Sequence, residues 1–271
     1  MIAVMSEDIT GRLDDQTTRG KWYFMHALGK NALPETIQLN GQTWRAIRFV
    51  KHDFFAATGF YQSDQTGEKS VVKIARTEPF LGLPCQWLGK LIDRRERRFY
   101  QKLADLPNIP SIIGRVGQTG FMHVFIEGQP LSRDSSVPDT FFDDLLQLVE
   151  TLYHRGIAVV DTNKPENILL GQDGKPYLID FQISFDVNDL GGIWPAGPIL
   201  RLFRQSYIYH VLKHKKRLRP DLLTETERQI VENKNWATRL HRRLTKPYFF
   251  IRRRLFAWLR KKGKLMPEGS Q

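Results

Sequence analysis

The sequence predicts an α+β fold, with a small antiparallel β part carrying one helix and then a mainly helical part. Three observations predict it. Short β-rich runs separated by turn residues occupy positions 43–76. An amphipathic helical stretch follows them, and the chain beyond about position 185 reads as mostly helical segments. With 271 residues, 41% apolar and 11% aromatic, the chain can bury a substantial core, as one large domain or as two lobes.

Each element follows from its local pattern. "TWRAIRFV", "FFAATGFYQ" and "KSVVKIAR" read as three antiparallel strands, with turns at "KHD" and "SDQTGEK". "CQWLGKLIDRRERRFYQKLADL" places Trp87, Leu91, Ile92, Phe99 and Leu103 on one expected helical face, and "LPNIP" stops it. "SIIGRVG" and "FMHVFIEG" read as two more strands, and "DTFFDDLLQLVETLYHRG" as a helix entered at Asp139 and closed at Gly156. Gly191–Pro198 is expected as an irregular loop. Residues 1–38 carry no strong period and are expected as an N-terminal extension. The expected organisation is then a first lobe over 39–127, a second over 128–235, and a basic aromatic segment over 236–271.

Composition narrows the classes. The single Cys85 allows no intramolecular disulfide and lacks the companions of a zinc site, so a reducing, cytoplasmic setting is expected. "SEDITGRLDDQ" is too polar for a signal peptide, and no run of about 20 apolar residues is present to span a bilayer. The net charge of +12 is localised: Arg239–Lys264 holds 11 Lys or Arg and no acid, and "KHKKRLR" at 213–219 adds five more cations. The bulk of the chain is therefore mildly acidic.

The stretch "VVDTNKPENILLGQDGKPYLIDFQIS" at 159–184 carries the chemistry. Asp173-Gly174 predicts a two-residue type I′ hairpin turn, because both residues accept positive φ. With Gln172 facing Lys175, Leu170 opposes Tyr177 and Asn167 opposes Asp180. Pro176 falls on a non-hydrogen-bonded pair, where its missing N–H costs little. Asn167 and Asp180 would then share one face with Cβ atoms about 4.5–5.5 Å apart, two oxygen-bearing groups of the type Mg²⁺ prefers. Alternatively the two residues merely cap the loops at the strand ends.

"KPENILL" and "IDF" give this stretch a resemblance to the protein-kinase-like superfamily, and the spacing of 13 between Asn167 and Asp180 matches its pattern. The resemblance covers roughly 42–190 and is nearest in character to the compact bacterial lipopolysaccharide (Kdo) kinases and RIO-type kinases. It implies a two-lobed protein-kinase-like fold, ATP as cofactor, and Asn167 and Asp180 as ligands of Mg²⁺ on the ATP phosphates. It further implies that Lys73, on the third strand with Val71 and Ala75 on its own face, contacts the α and β phosphates. Glu96, between Ile92 and Phe99, would be its ion-pair partner. An exposed edge lysine and a surface glutamate amid "RRERR" are the alternatives for these two.

The departures from that pattern matter equally. "VVD" stands where the superfamily has His-Arg-Asp, and one extra residue separates Asp161 from "KPEN". Asp161 is the candidate to accept the substrate hydroxyl proton, with Lys164 near the transferred phosphate, while Asn163 could occupy part of that space. Asp180-Phe181-Gln182 replaces Asp-Phe-Gly, so a flipping activation segment is not expected. The glycine-rich lid is reduced to Gly59, with phosphate cover expected from backbone N–H groups over 56–59. Glu127 and Gly128 are expected to face adenine as the hinge.

On a helix begun after Pro247, Ile251, Leu255, Trp258 and Leu259 share a face flanked by cations. Such a segment resembles an interfacial helix on an anionic membrane. An ordinary packed helix with a solvated basic face is the alternative, and nucleic acid is the less favoured partner, because Phe249, Phe250 and Phe256 suit acyl chains at least as well as bases. The expected activity is transfer of the γ-phosphoryl group of ATP to a hydroxyl-bearing acceptor at the inner membrane surface, a lipid-linked sugar or lipopolysaccharide-type glycolipid. A protein serine/threonine acceptor comes second, and a catalytically idle membrane scaffold is the reading from a different class.

Overall fold

The computed structural model describes residues 23–80, 82–159, 163–190 and 196–232. The chain divides into two compact units between Ile126 and Glu127.

The first unit is a six-stranded antiparallel sheet with one helix. In chain order it contains a 3-10 turn at Tyr23–Met25, β1 (Thr36–Leu39), β2 (Gln42–His52), β3 (Ala56–Ser63), β4 (Lys69–Ala75), α1 (Gln86–Lys102), β5 (Ile112–Val116) and β6 (Gly120–Val124). The strands lie in the order β1-β2-β3-β4-β6-β5, so the three strands expected over 43–76 are present as β2, β3 and β4. Alternation in β3 and β4 sends Tyr61 and Val72 inward, where Ile37, Trp44 and Met122 complete a fully buried cluster. The helix α1 packs on β4, β5 and β6.

Two expectations change in this unit. Residues 27–35 pack against the sheet and 36–38 lie within it, rather than forming an extension. Ala27, Leu28 and Leu33 are buried, and β1 is an edge strand closed onto β2 by Asn40-Gly41, both at positive φ. Asn-Gly is the strongest short hairpin signal, and it makes a strand of a four-residue run too short to show a period. Residues 1–22 lie outside the described residues. The buried face of α1 also differs: Trp87 and Leu91 are 65% and 55% exposed, while Gly89, Asp93, Glu96, Phe99 and Tyr100 face inward.

The second unit contains β7 (Gly128–Pro130), α2 (Phe141–His154), β8 (Ile157–Ala158), β9 (Ile168–Gly171), β10 (Pro176–Leu178), β11 (Phe185–Asp186), α3 (Ala196–Leu218) and α4 (Glu225–Glu232). β10, β9 and β7 form one small sheet, and β11 pairs with β8. Phe141, Phe142, Leu145, Leu148, Val149 and Leu152 bury the inner face of α2, which packs on α3. Gly156 at φ 74° ends α2, as a left-handed C-terminal position requires. Pro198 lies in the first turn of α3, so the loop expected over 191–198 ends earlier; residues 191–195 lie outside the described residues.

The "KHKKRLR" knot is largely compensated. Lys215 is 4% exposed and pairs with Glu227 at 2.9 Å and Asp143 at 3.2 Å, tying α3 to α4 and α2. Arg219 pairs with Asp139 at 2.6 Å and Asp221 at 2.8 Å. Buried cations need such partners, and here composition alone overstates the available positive surface.

In the first unit, His123 on β6 is buried against Tyr100, their rings stacked 5.3 Å apart. Burial above all, with the charge of Lys73 adding, pushes its pKa from 6.5 down to about 4, against the raising effect of its hydrogen bond to the Val124 carbonyl. A base depressed in the folded state costs nothing above its unfolded pKa and destabilises as pH falls through the window from 6.5 to about 4, because only the unfolded chain then takes up the proton. Urea unfolding at pH 7 and pH 5 should therefore show a loss of about 2 kcal/mol that His123→Phe does not share. Equal losses in the two proteins would remove His123 as the cause.

Candidate active site

Lys73 lies mid-strand on β4, paired with Thr58 of β3 and Phe121 of β6. Its Nζ is 2.7 Å from Glu96 Oε1, with the two side chains 15% and 1% exposed. The pairing of strand lysine and helix glutamate is thus a fact of the first unit. Gly89 explains how α1 comes close enough. A Cβ at Gly89 would overlap the Arg76 carbonyl oxygen, so only glycine lets the helix lie against the end of β4. Glu96, seven residues on, shares the face of Gly89 at the helical period and meets Lys73.

Asn167 and Asp180 belong to the second unit, and here the register differs from expectation. Leu170 pairs with Pro176 and Ile168 with Leu178, one residue away from the expected alignment. The loop has three residues rather than two: Gly171 N–H donates to the Lys175 carbonyl at 2.9 Å, and Gly174 N–H to the Gly171 carbonyl at 2.9 Å. Gly174 is at φ 78° and Asp173 is not at positive φ, so the turn is of the three-residue kind with a left-handed glycine at its end. The Asp173 carboxylate instead accepts from Lys175 N–H at 3.1 Å and the Tyr177 hydroxyl at 3.0 Å.

In this register Asn167 opposes Ile179, whose N–H donates to the Asn167 carbonyl at 3.1 Å. Asp180 is re-aimed by its backbone. It sits at φ 66°, one of two non-glycine residues at positive φ among the described residues. For an aspartate past the end of a strand this conformation is uncommon, and such outliers concentrate where function demands a particular direction. Asn167 ends a 3-10 turn over Pro165–Asn167 and is 8% exposed, and Phe181, next to Asp180, is fully buried. Among the described residues no group of three or more His, Cys, Asp or Glu could hold a metal ion. One carboxylate and one amide fit a Mg²⁺ that takes its remaining ligands from phosphate and water.

The residues expected at the lid and hinge each have contacts within the chain. Gly59 lies inside β3, paired on both sides, and its Cβ would come 2.8 Å from Leu33 Cδ1, so packing accounts for the glycine. The turn before it is stapled by Asp53, whose Oδ1 accepts from Phe55 N–H at 2.8 Å and Ala56 N–H at 2.9 Å. Those donors are occupied by the chain's own carboxylate. Glu127 and Gly128 are likewise engaged: the Glu127 carbonyl accepts from Gln172 N–H at 2.8 Å. Gly128 pairs with Gly171 so closely that a Cβ would overlap the Leu170 carbonyl oxygen.

Arg76 is the residue that sequence reasoning missed. It is fully buried, and its guanidinium donates to the carbonyls of Phe24 at 2.6 Å, Phe54 at 3.0 Å, and His26 and Pro79 at 3.3 Å while stacking on Phe54. It ties the 3-10 turn, the β2–β3 turn and the chain after β4 to one point. The signal was an arginine directly after an apolar strand run and shortly before "PF". Lys164 precedes the 3-10 turn in extended backbone. Asn163 accepts from Lys213 Nζ at 3.4 Å, an exposed contact. Asp161 lies outside the described residues.

Two measurements follow. Lys73→Met leaves Glu96 buried without its cation and should cost about 3–5 kcal/mol, whereas Lys73→Met with Glu96→Gln should restore much of that stability. Additive losses in the double variant would show that the pair is not coupled. Gly89→Val should separate α1 from β4, and a crystal structure of that variant with the 2.7 Å contact intact would refute the role given to Gly89.

The comparisons with known proteins agree with this architecture. No family model matches the chain. Its fold superposes on the Rio2 kinase of Chaetomium thermophilum, solved as its ADP/Mg²⁺-phosphoaspartate complex, with a TM-score of 0.52 and 19% identity over 80% of this chain and 70% of that one. Over 144 residues it is 29% identical to the serine/threonine-protein kinase WAG2 of Arabidopsis thaliana, which is 45% of this chain and 29% of that relative. The chain therefore spans less than a third of that relative's length. This chain thus has a kinase-like α+β fold in two compact units.

Proposed function

We propose that the protein is an ATP- and Mg²⁺-dependent phosphotransferase that moves the γ-phosphoryl group to a hydroxyl. The observation that carries this reading is the Lys73–Glu96 pair, a 2.7 Å ion pair with its carboxylate 1% exposed. Burying such a pair is costly and gains little stability over apolar packing. A lysine held rigid for phosphate binding supplies the reason to keep it. In this reading Lys73 binds the α and β phosphates and Glu96 fixes its ammonium. Asn167 and Asp180 hold Mg²⁺, which when bound neutralises charge on the phosphate oxygens. Asp161 accepts the acceptor's hydroxyl proton, which a carboxylate can do and an amide cannot. Lys164 stands near the transferred phosphate.

For the acceptor we favour a lipid-linked sugar or lipopolysaccharide-type glycolipid at the inner membrane surface. The support is the run of cations and aromatics in Arg239–Lys264, which lies outside the described residues. No described helix is long and apolar enough to cross a membrane, so attachment in this reading is peripheral. The likeness to a serine/threonine-protein kinase favours a protein hydroxyl as the second reading. An idle scaffold has no use for Lys73, Glu96, Asn167 and Asp180 together.

Thermal shift with ATP, with and without Mg²⁺, separates enzyme from scaffold. ATP should stabilise the wild type more strongly with Mg²⁺, and Asp180→Ala should lose the Mg²⁺-dependent part. An unchanged shift in Asp180→Ala would sink the metal assignment. Asp161→Asn should lower kcat by about 10²–10⁴-fold with nucleotide affinity nearly constant. Near-normal turnover in Asp161→Asn with an inactive Asn163→Ala would move the catalytic role to the other side of the inserted residue. Transfer of labelled phosphate to a glycolipid extract rather than to protein identifies the acceptor class.

A further inference from the structure

The outer face of α1 is organised for something that the kinase reading does not use. At 100° per residue, Trp87, Lys90, Leu91, Arg94, Arg95 and Arg98 share one face, and all six are exposed. The helix has two acids, Asp93 and Glu96, which point the other way at 2% and 1% exposure. The outer face therefore presents apolar groups and cations without an exposed carboxylate of its own helix. Just before the helix, Leu83 is 68% exposed and bridges Phe80, which packs against Phe54 with centroids 5.1 Å apart, and Phe54 against the 47% exposed Phe55. Leu83, Trp87 and Leu91 are the three most exposed large apolar residues among those described. They are adjacent, with cations flanking them.

We infer that this face, Leu83, Trp87 and Leu91 with Lys90 and Arg94, is a docking surface for an anionic lipid bilayer. A bilayer interface rewards this combination. A tryptophan ring settles at headgroup depth, leucines reach the acyl boundary, and basic groups beside them are drawn to anionic headgroups. An acidic protein surface would satisfy the cations but would leave the 65% exposed Trp87 without a matching apolar interior. The surface lies on described residues and is distinct from the Arg239–Lys264 segment. It does not depend on phosphoryl transfer, since none of its residues belongs to the nucleotide or metal set.

The single Cys85, half-buried at the start of α1, offers a reporter for this end of the helix. The full-length chain carrying a polarity-sensitive fluorophore on Cys85 is mixed with phosphatidylglycerol–phosphatidylcholine vesicles, with pure phosphatidylcholine vesicles, and with polyglutamate. A blue shift with the mixed vesicles alone is expected, reversed by high salt. Trp87→Ser with Leu91→Ser should abolish it, and Lys90→Glu with Arg94→Glu should weaken vesicle affinity about tenfold or more. All four positions are exposed, so far-UV circular dichroism should confirm intact folds. No shift while the chain co-sediments with vesicles would mean that another segment holds the membrane and would overturn the inference. So would a shift unchanged in both double variants, an equal response to polyglutamate, or the absence of any vesicle binding.

Discussion

A carboxylate removed from water must be compensated, and in the first unit that requirement falls on Asp93, met by Arg97, and above all on Glu96. At 1% exposure its charge is tolerable because the Lys73 ammonium stands 2.7 Å away. The pair fixes where α1 lies on β4, and the absence of a side chain at Gly89 makes the approach possible. Arg76 continues the arrangement. Three residues past Lys73 on the same segment, it gathers the 3-10 turn, the β2–β3 turn and the chain after β4 through hydrogen bonds to carbonyls. Ion pair, glycine contact and buried guanidinium together hold Lys73 in one orientation, which the phosphate-binding role proposed for it needs.

The second unit solves its directional problem with backbone rather than with charge. A regular strand would alternate side chains across its faces, and the observed register puts Ile179, not Asp180, opposite Asn167. Positive φ at Asp180 breaks the alternation just past β10 and redirects the carboxylate. The buried Phe181 beside it anchors the strained residue in the core. Gln182 stands where Asp-Phe-Gly has its glycine, so that position lacks glycine's extra backbone freedom.

Position along the chain and depth in the fold divide the charges differently. On α1 the acids point inward and the cations outward, while on α3 the buried Lys215 is matched by Glu227 and Asp143. Net charge therefore misleads in both directions. The +12 total overstates the free positive surface at 213–219. It also hides a basic outer face on α1, a helix with six Lys or Arg and two acids, both acids buried on the opposite side.

The sequence by itself determined the fold class and the principal elements, because strand alternation, helical periodicity and turn residues are local signals. β2, β3, β4, α2 and the β9–β10 hairpin stand where the patterns put them. It also singled out Lys73 and Glu96, which the structure pairs, and Asn167 and Asp180 as candidate metal ligands, from types and spacings visible along the chain. Tertiary structure alone decided the rest. Which face of α1 is buried depends on a glycine fitting against Arg76, not on the hydrophobicity of Trp87 and Leu91. The hairpin register depends on whether Asp173 takes positive φ, and its carboxylate prefers Lys175 N–H and the Tyr177 hydroxyl. The immediate neighbours of Gly59, Glu127 and Gly128 were likewise set by the tertiary structure. Whether a backbone group is available is settled by what else donates to it or crowds it, and those partners come from residues distant in the chain.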